Sequence, residues 1–183
     1  PAGRAAFGGL AHPYMLRLRS LAFTVWLYGL TTLIALFALP FLLGPRGASM
    51  WVIRTWSRYV LFGLRHIVGL RIEVRGAEHM PAGGGLIAAK HMGMLDTVAP
   101  FDFLADPAFV LKKELLKVPV YGWFALRAGM VPVDREAHSK ALKQLVADAR
   151  GRLAQGRQIV IFPEGTRKEV GEPPDYKPGV AAL

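Results

Sequence analysis

The 183 residues include no cysteine. That excludes a disulfide framework, a thiolate nucleophile and a cysteine-ligated zinc site, and it fits a reducing compartment. Acidic residues are scarce in one region only. Residues 1–76 hold nine arginines, no lysine and a single acid, Glu73, whereas residues 77–183 hold fourteen basic against twelve acidic residues. Most of the +10 net charge therefore lies in the apolar, tryptophan-bearing N-terminal part. A nucleic-acid domain would set such charge on a polar face beside a recognition motif, and no such motif occurs. Arginines mixed with large apolar side chains point instead to an anionic membrane surface. Internal repeats and low-complexity segments are also missing.

One long apolar run is present. Leu21 to Leu43 carries no charge and matches the roughly 20 residues that cross a bilayer. Arg17 and Arg19 precede it and Arg46 follows, so flanking charge orients it poorly. A signal peptide is the competing reading, disfavoured by the length of the run and the lack of a small-residue cleavage site. Ser49 to Val68 reads as an amphipathic helix, with Arg54, Arg58 and Arg65 near one face and Trp51, Trp56, Tyr59 and Phe62 among the rest. Three of the four tryptophans fall in these two segments, as expected at a headgroup boundary. Residues 1–69 are thus expected to form a helical pair that dips into or lies on a membrane, with a buried core helix as the plainer alternative.

Beyond residue 70 the texture changes. Arg71-Ile72-Glu73-Val74-Arg75 alternates like a half-buried strand. Leu86–Ala89, Phe109–Leu111, Met130–Val133 and Gln158–Phe162 are short apolar runs that read as buried strands. Ser139 to Gln155 has the helical period, with Ser139 as its cap and Gly156 as its stop. Strands alternating with helices predict an α/β domain over 70–183, a largely parallel sheet flanked by helices. The length suffices for one hydrophobic core. The chain starts at Pro1 without an initiator Met and stops in the apolar run Gly179–Leu183 with no turn signal, so it is expected to be incomplete.

Polar clusters follow the predicted strands. His91 comes after Ala89, Lys112-Lys113-Glu114 after Leu111, Asp134-Arg135 after Val133, and Pro163-Glu164-Gly165-Thr166-Arg167 after Phe162. Parallel strands would deliver all four to one carboxyl edge, where α/β sheets build their sites. On a regular helix His91 and Asp96 would lie about 140° apart and not meet. On a strand-to-helix turn, eased by Gly93, Asp96 could fold back onto the imidazole and leave the other ring nitrogen as a general base. Alternatively, Asp96 merely caps a helix starting at Thr97 and His91 is an ordinary surface residue. Gly165 and Thr166 open a turn whose amides could receive an oxyanion, and Arg167 offers a forked cation for phosphate. A plain turn with solvated charges is the bland reading of that segment.

In order along the chain, His91-x4-Asp96, Gly129-Met130-Val131-Pro132-Val133-Asp134-Arg135 and Phe162-Pro163-Glu164-Gly165-Thr166-Arg167 resemble the motifs of the glycerolipid acyltransferases. Within that family the likeness is to the bacterial 1-acylglycerol-3-phosphate (lysophosphatidic acid) acyltransferases. The stretch Phe109–Leu115 with Pro119 and Gly122-Trp123 looks like the segment between the first two motifs. The likeness covers roughly residues 70–183, and the helical pair suits the family. Pro132 stands where the family often has an aromatic residue, and a later proline-bearing strand motif is missing.

The resemblance implies a membrane enzyme of phospholipid biosynthesis, at the inner membrane of a bacterium with its site facing the cytoplasm. It moves an acyl group from acyl-CoA or acyl-carrier protein to a lysophospholipid, giving phosphatidic acid. It implies His91 as general base, Asp96 as its orienting partner, and Arg135, Glu164 and Arg167 as acceptor-binding residues. Lys113 is a further phosphate candidate, and amides near Gly165 and Thr166 are oxyanion donors. Direct transfer is expected, because there is no Cys and no Gly-x-Ser-x-Gly elbow. No cofactor is called for, and no metal, since His91 lacks His partners at ligand spacing. Glycerol-3-phosphate or a lyso-ornithine lipid is the alternative acceptor. A non-catalytic lipid-binding protein is a further alternative, and a metal-dependent phosphohydrolase is disfavoured by the lack of a second carboxylate–His cluster.

Overall fold

Four short apolar runs become strands: β1 (Gly85–Ala88), β2 (Pro107–Lys112), β3 (Val131–Val133) and β4 (Gln158–Ile161). The computed structural model describes residues 13–134, 138–169, 171–177, 180 and 183. The strands lie in the order β1-β4-β2-β3, and every pairing is parallel. The central strand β4 is buried at all of its positions, as a strand covered on both faces must be. The predicted α/β architecture is the observed one.

The helix α6 (His138–Ala154) covers one face of the sheet, packing Leu145 and Ala149 against Ala108, Val131 and Ile159. It starts one residue ahead of the expected cap, Ser139. It ends where Gly156 adopts φ 75°. That left-handed residue lets its own N–H reach Leu153 O and the N–H of Arg157 reach Arg152 O, a common way to satisfy the last carbonyls of a helix. On the other face, Met50, Phe101, Leu104, Phe109, Ala125 and Val160 form the larger core cluster.

At the N-terminal end, the apolar run Leu21–Leu43 does not form one helix. The helix α1 (Pro13–Phe37) stops short, and Leu39–Leu43 winds into a short 3-10 turn. Pro40 is the cause: it has no N–H to donate, and its ring would clash with the carbonyl four residues back. The apolar part of α1, Tyr14–Phe37, is 24 residues long and includes an 18-residue stretch of mean hydropathy 1.7. The helix α2 (Arg46–Gly63) follows, extended by a wider turn over Leu64–Val68, and it is amphipathic as predicted. Its inner face buries Met50, Val52, Ser57 and Val60, and the Ser57 hydroxyl donates to Val98 O at 2.7 Å. Its outer side meets α1, where Trp56 Nε1 donates to Thr31 Oγ1 at 3.0 Å and Trp26 Nε1 to Tyr59 O at 3.1 Å.

Two expectations need correction. Arg71–Arg75 is not a strand: no strand of the described residues lies beside it, Ile72 and Val74 are exposed, and Glu73 pairs with Arg75 at 2.8 Å. Alternation marks a strand only where a neighbour supplies the ladder. The arginines of α2 are not spread toward lipid. Arg46 forks onto both oxygens of Asp106 at 2.9 and 2.8 Å, Arg54 donates to the carbonyls of Leu104 and Ala105, and Arg58 pairs with Asp102 at 3.3 Å. These cations fasten the helix to the α/β unit.

Asp106 carries a second load. Arg157, 1% exposed, stands 3.3 Å from its Oδ2 and donates to Gly129 O and Pro107 O. Partial burial works against the Asp106 charge, but the Arg46 hydrogen bonds and the nearby Arg157 charge win and hold its carboxyl below the usual range. A depressed carboxylate pKa contributes stability above the unfolded value, near 3.8, and loses it as pH falls through the folded value. The melting temperature is therefore expected to drop on acidification below about pH 4. Asp106→Asn should be destabilised at neutral pH by about 3–5 kcal/mol, because it strands the buried Arg157. Its melting temperature should also change less with acid. Thermal melts across pH 2.5–7 check both.

Candidate active site

Parallel strands bring the expected clusters to one edge. Ahead of the short helix α4 (Pro100–Phe103), β1 leads through Lys90 into the turn His91–Met94, and a short helix, α3 (Leu95–Val98), follows. Asp96 sits in its first turn and folds back. Its Oδ2 accepts from the amides of Met92 and Gly93, the latter at 2.8 Å, and lies 3.2 Å from His91 Nδ1. Burial disfavours the Asp96 charge, yet the Gly93 and Met92 amides and the His91 ring together hold its carboxyl below the ordinary range. An ionised oxygen facing donors requires the proton on Nδ1, so Nε2 carries the lone pair. Nε2 has no partner among the described residues.

The imidazole is also held from the side. The Phe162 ring at the end of β4 stacks on it at 4.3 Å, with 21° between the planes. The backbone of the next loop closes the arrangement, as Lys168 N–H donates to His91 O at 2.9 Å. With Nδ1 tied and one face covered, the ring has little freedom, and pre-set orientation is what a general base needs.

His91 looks into a cavity of about 1150 Å³. At its polar end stand His91, Lys112, Asp134, Glu164, Arg167 and Lys177. The remainder is apolar, and its floor is built by both parts of the chain: Thr31 and Ile34 from α1, Val52, Ile53 and Trp56 from α2, and Phe109 and Met130 from the sheet. One wall is Leu115, Val118, Pro119 and Val120, with Tyr121 and Phe124 from the start of α5 (Tyr121–Arg127). That wall contains a tight γ-turn. Val120 has φ 62° and ψ −56°, with Tyr121 N–H donating to Pro119 O at 2.7 Å. A β-branched residue pays on the order of 1–3 kcal/mol there.

Glu164 is 1% exposed, and neither of its carboxylate oxygens has a hydrogen-bond partner among the described residues. Gly165, with φ 66°, donates its amide to Phe162 O at 2.9 Å, so that amide is committed to the turn. The amides of Thr166 and Arg167 have no partner among the described residues, and both residues line the same cavity. Of the two turn amides expected to be available, that of Thr166 is open and that of Gly165 is not.

Lys113, a predicted phosphate ligand, pairs at 3.1 Å with Asp134, itself a cavity-lining residue. Its neighbour Lys112, the last residue of β2, lines the cavity and stands 3.7 Å from Glu114. Arg135 lies outside the described residues. Sequence reasoning missed Lys177, which enters from the loop after Arg167; its N–H donates to Pro163 O at 3.0 Å. No periodicity marked it. It also missed the role of Phe162 as a platform, although the residue stands in the motif.

Against families of known proteins, an acyltransferase family model matches residues 71–183. The chain belongs to the acyltransferase family. The 1-acyl-sn-glycerol-3-phosphate acyltransferase of Pseudomonas aeruginosa is 36% identical over 138 residues, covering 75% of this chain and 54% of that protein. The human 1-acyl-sn-glycerol-3-phosphate acyltransferase alpha is 30% identical over 128 residues, 69% of this chain and 45% of the relative. The chain thus spans about half the length of the curated relatives it matches. A lyso-ornithine lipid O-acyltransferase of Rhizobium meliloti is 31% identical over 121 residues. The fold matches the crystal structure of the 1-acyl-sn-glycerophosphate acyltransferase of Thermotoga maritima with a TM-score of 0.68, at 23% identity over 88% of this chain and 67% of that one. Bacterial relatives of this kind, together with the apolar helix α1, suggest membrane association.

Proposed function

We propose that this acyltransferase moves a fatty acyl group from an acyl thioester, of CoA or of acyl-carrier protein, to the free sn-2 hydroxyl of 1-acylglycerol-3-phosphate, forming phosphatidic acid. The observation that carries the reading is the His91–Asp96 pair, its free nitrogen open to a cavity that is cationic at one end and apolar beyond. In this reading His91 Nε2 takes the hydroxyl proton, and Asp96 stabilises the imidazolium that results. The oxygen attacks the thioester carbonyl carbon, and the Thr166 and Arg167 amides receive the oxyanion. The C–S bond breaks as that oxyanion collapses back to a carbonyl, and His91 returns its proton to the leaving sulfur. The apolar cavity holds a lipid tail, and Arg167, Lys112 and Lys177 are spaced around the headgroup phosphate.

The helical pair then serves as a membrane platform. α1 lies flush against α2 at Thr31 and Trp26, and α2 is fastened to the α/β unit at both ends by Arg46 and Arg58. A perpendicular span through α1 would drag those arginines into hydrocarbon, at about 2.5–3.5 kcal/mol or more for each charge. The pair therefore lies in one leaflet, at the cytoplasmic face of the inner membrane, with the exposed side chains of α1 in lipid.

The acceptor is tested with full-length protein, labelled acyl-CoA and a panel of lyso acceptors. Arg167→Ala is expected to raise the KM for lysophosphatidic acid about 10- to 100-fold, as loss of a charged hydrogen bond costs about 1.5–3 kcal/mol, with less effect on the donor. Arg167→Lys should recover part of this, because an ammonium lacks the fork. Lyso-ornithine lipid, which has no phosphate, should be a poor substrate and indifferent to either change. A wild-type preference for it would overturn the phosphate reading while leaving the chemistry at His91 in place.

A further inference from the structure

The helical pair is not the whole of the apolar surface. On α5, Gly122, Phe124 and Ala125 turn inward, while Trp123 and Leu126 are 50% and 54% exposed. Three positions apart, those two share one face of the helix. Arg127 continues the face, but its guanidinium turns aside to Gly44 O, with Nε at 3.1 Å. That bond ties the end of α5 to the turn following α1. There Leu43 is 89% exposed, and Phe41 stacks on Trp51 at 5.4 Å with both rings open to solvent. The apolar surface of α1 thus continues across the turn onto α5.

The same edge meets the cavity. Val118 and Tyr121, just ahead of the exposed pair, line the cavity and are also 45% and 50% exposed. Between them stands the left-handed Val120, whose side chain packs on Ala38, Val52 and Phe124. The strained turn is therefore gripped from the side of the helical pair, and it sets the direction in which α5 leaves.

We propose that Trp123 and Leu126 form a second lipid-contact site, on the α/β unit itself, that seats the cavity mouth on the bilayer. The occupant is a lipid surface. Continuity with the apolar outer side of α1 argues for this, as does an indole beside a tyrosine at the rim, the composition favoured at a headgroup boundary. Resting on the acyltransferase reading, the arrangement gives a membrane-borne acceptor a route to His91 that never crosses bulk water.

The test uses the full chain and the double variant Trp123→Ser/Leu126→Ser, with Trp123→Phe/Leu126→Ile as its conservative control. Partition onto phosphatidylcholine–phosphatidylglycerol vesicles is read by sedimentation. Acyl transfer is read on a bilayer-borne acceptor and on a short-chain acceptor below its micelle concentration. The serine variant should partition roughly tenfold more weakly or worse and lose bilayer transfer in proportion, with transfer to the soluble acceptor unchanged. The control should behave as wild type. Unchanged vesicle partition overturns the proposal. So does loss of soluble-acceptor transfer, which would mean the two side chains hold the fold, and so does a fall in vesicle-free mass from dimer to monomer, which would assign the face to a second copy. Failure of the wild type to acylate either acceptor would sink the acyltransferase reading instead, and vesicle partition would still judge the patch.

Discussion

Replacing His91 by alanine is expected to lower kcat by about 10²–10⁴-fold, the usual contribution of a positioned general base. The fold should survive. The imidazole lies at a strand end against Phe162 and Asp96, and His91 belongs to none of the three core clusters. Asp96→Asn separates the orienting role from a capping role. An amide oxygen placed there can still accept from Met92, Gly93 and the ring, but it is neutral, so the imidazolium formed in the reaction loses its stabilising charge. Its kcat should approach that of His91→Ala while its melting temperature moves little. Because the native Asp96 carboxyl is held below the ordinary range, it is ionised at neutral pH. It therefore contributes no limb to a pH–rate profile near neutrality. The measurements are kcat on lysophosphatidic acid with each variant, alongside circular dichroism melts. A His91→Ala enzyme retaining more than about a tenth of the wild-type rate would remove the base assignment.

Most of the sheet was legible because its inner strands, β4 and β2, are buried on both faces, whereas β1 leaves Leu86 and Ala88 exposed. Ile159–Ile161 and Phe109–Leu111 are apolar throughout, and a parallel strand needs no more than that plus a turn at each end. Once four such runs were placed, the position of His91, Lys112, Asp134 and Glu164 at one edge followed from topology alone. The return of Asp96 onto His91 was foreseeable as a turn, but its three donors at one oxygen were not, since two of them are backbone amides that every sequence possesses.

What the sequence misdirected concerns partners distant along the chain. Arg46, Arg54 and Arg58 looked like surface cations because their acceptors, Asp106, the Leu104 and Ala105 carbonyls and Asp102, are more than forty residues away. Alternation at Arg71–Arg75 gave a false strand for the converse reason: the pattern was present and the neighbour was not. Lys112 and Lys113 are equivalent in type and adjacent, and only the end of β2 between them separates the one lining the cavity from the one paired with Asp134 at its edge. The buried Glu164 is likewise unreadable from its neighbours, since burial of a carboxylate is the exception.

Deleting residues 1–68 should abolish cooperative folding rather than release a soluble enzyme. An anchor that merely holds the protein to lipid could be cut away, but α2 is also a core element. Met50 packs with Phe101, Leu104 and Phe109, Val52 packs with Phe124, and Val60 is fully buried. Each such side chain is worth roughly 1.5–3 kcal/mol, a large share of the ~5–15 kcal/mol by which domains of this size are stable. Deletion also strips Val98 O of the Ser57 hydroxyl and Asp106 of Arg46, and it opens the cavity floor at Thr31, Ile34, Val52 and Trp56. The contrasting variant changes lipid contact alone. Leu18, Leu21 and Val25 are 63%, 61% and 66% exposed on α1, so changing all three to serine should weaken vesicle binding and leave the melting transition intact. Calorimetry and vesicle sedimentation on the two proteins separate the roles. A fragment of residues 69–183 that melts cooperatively and turns over a soluble acceptor would show that α2 is an anchor and no more.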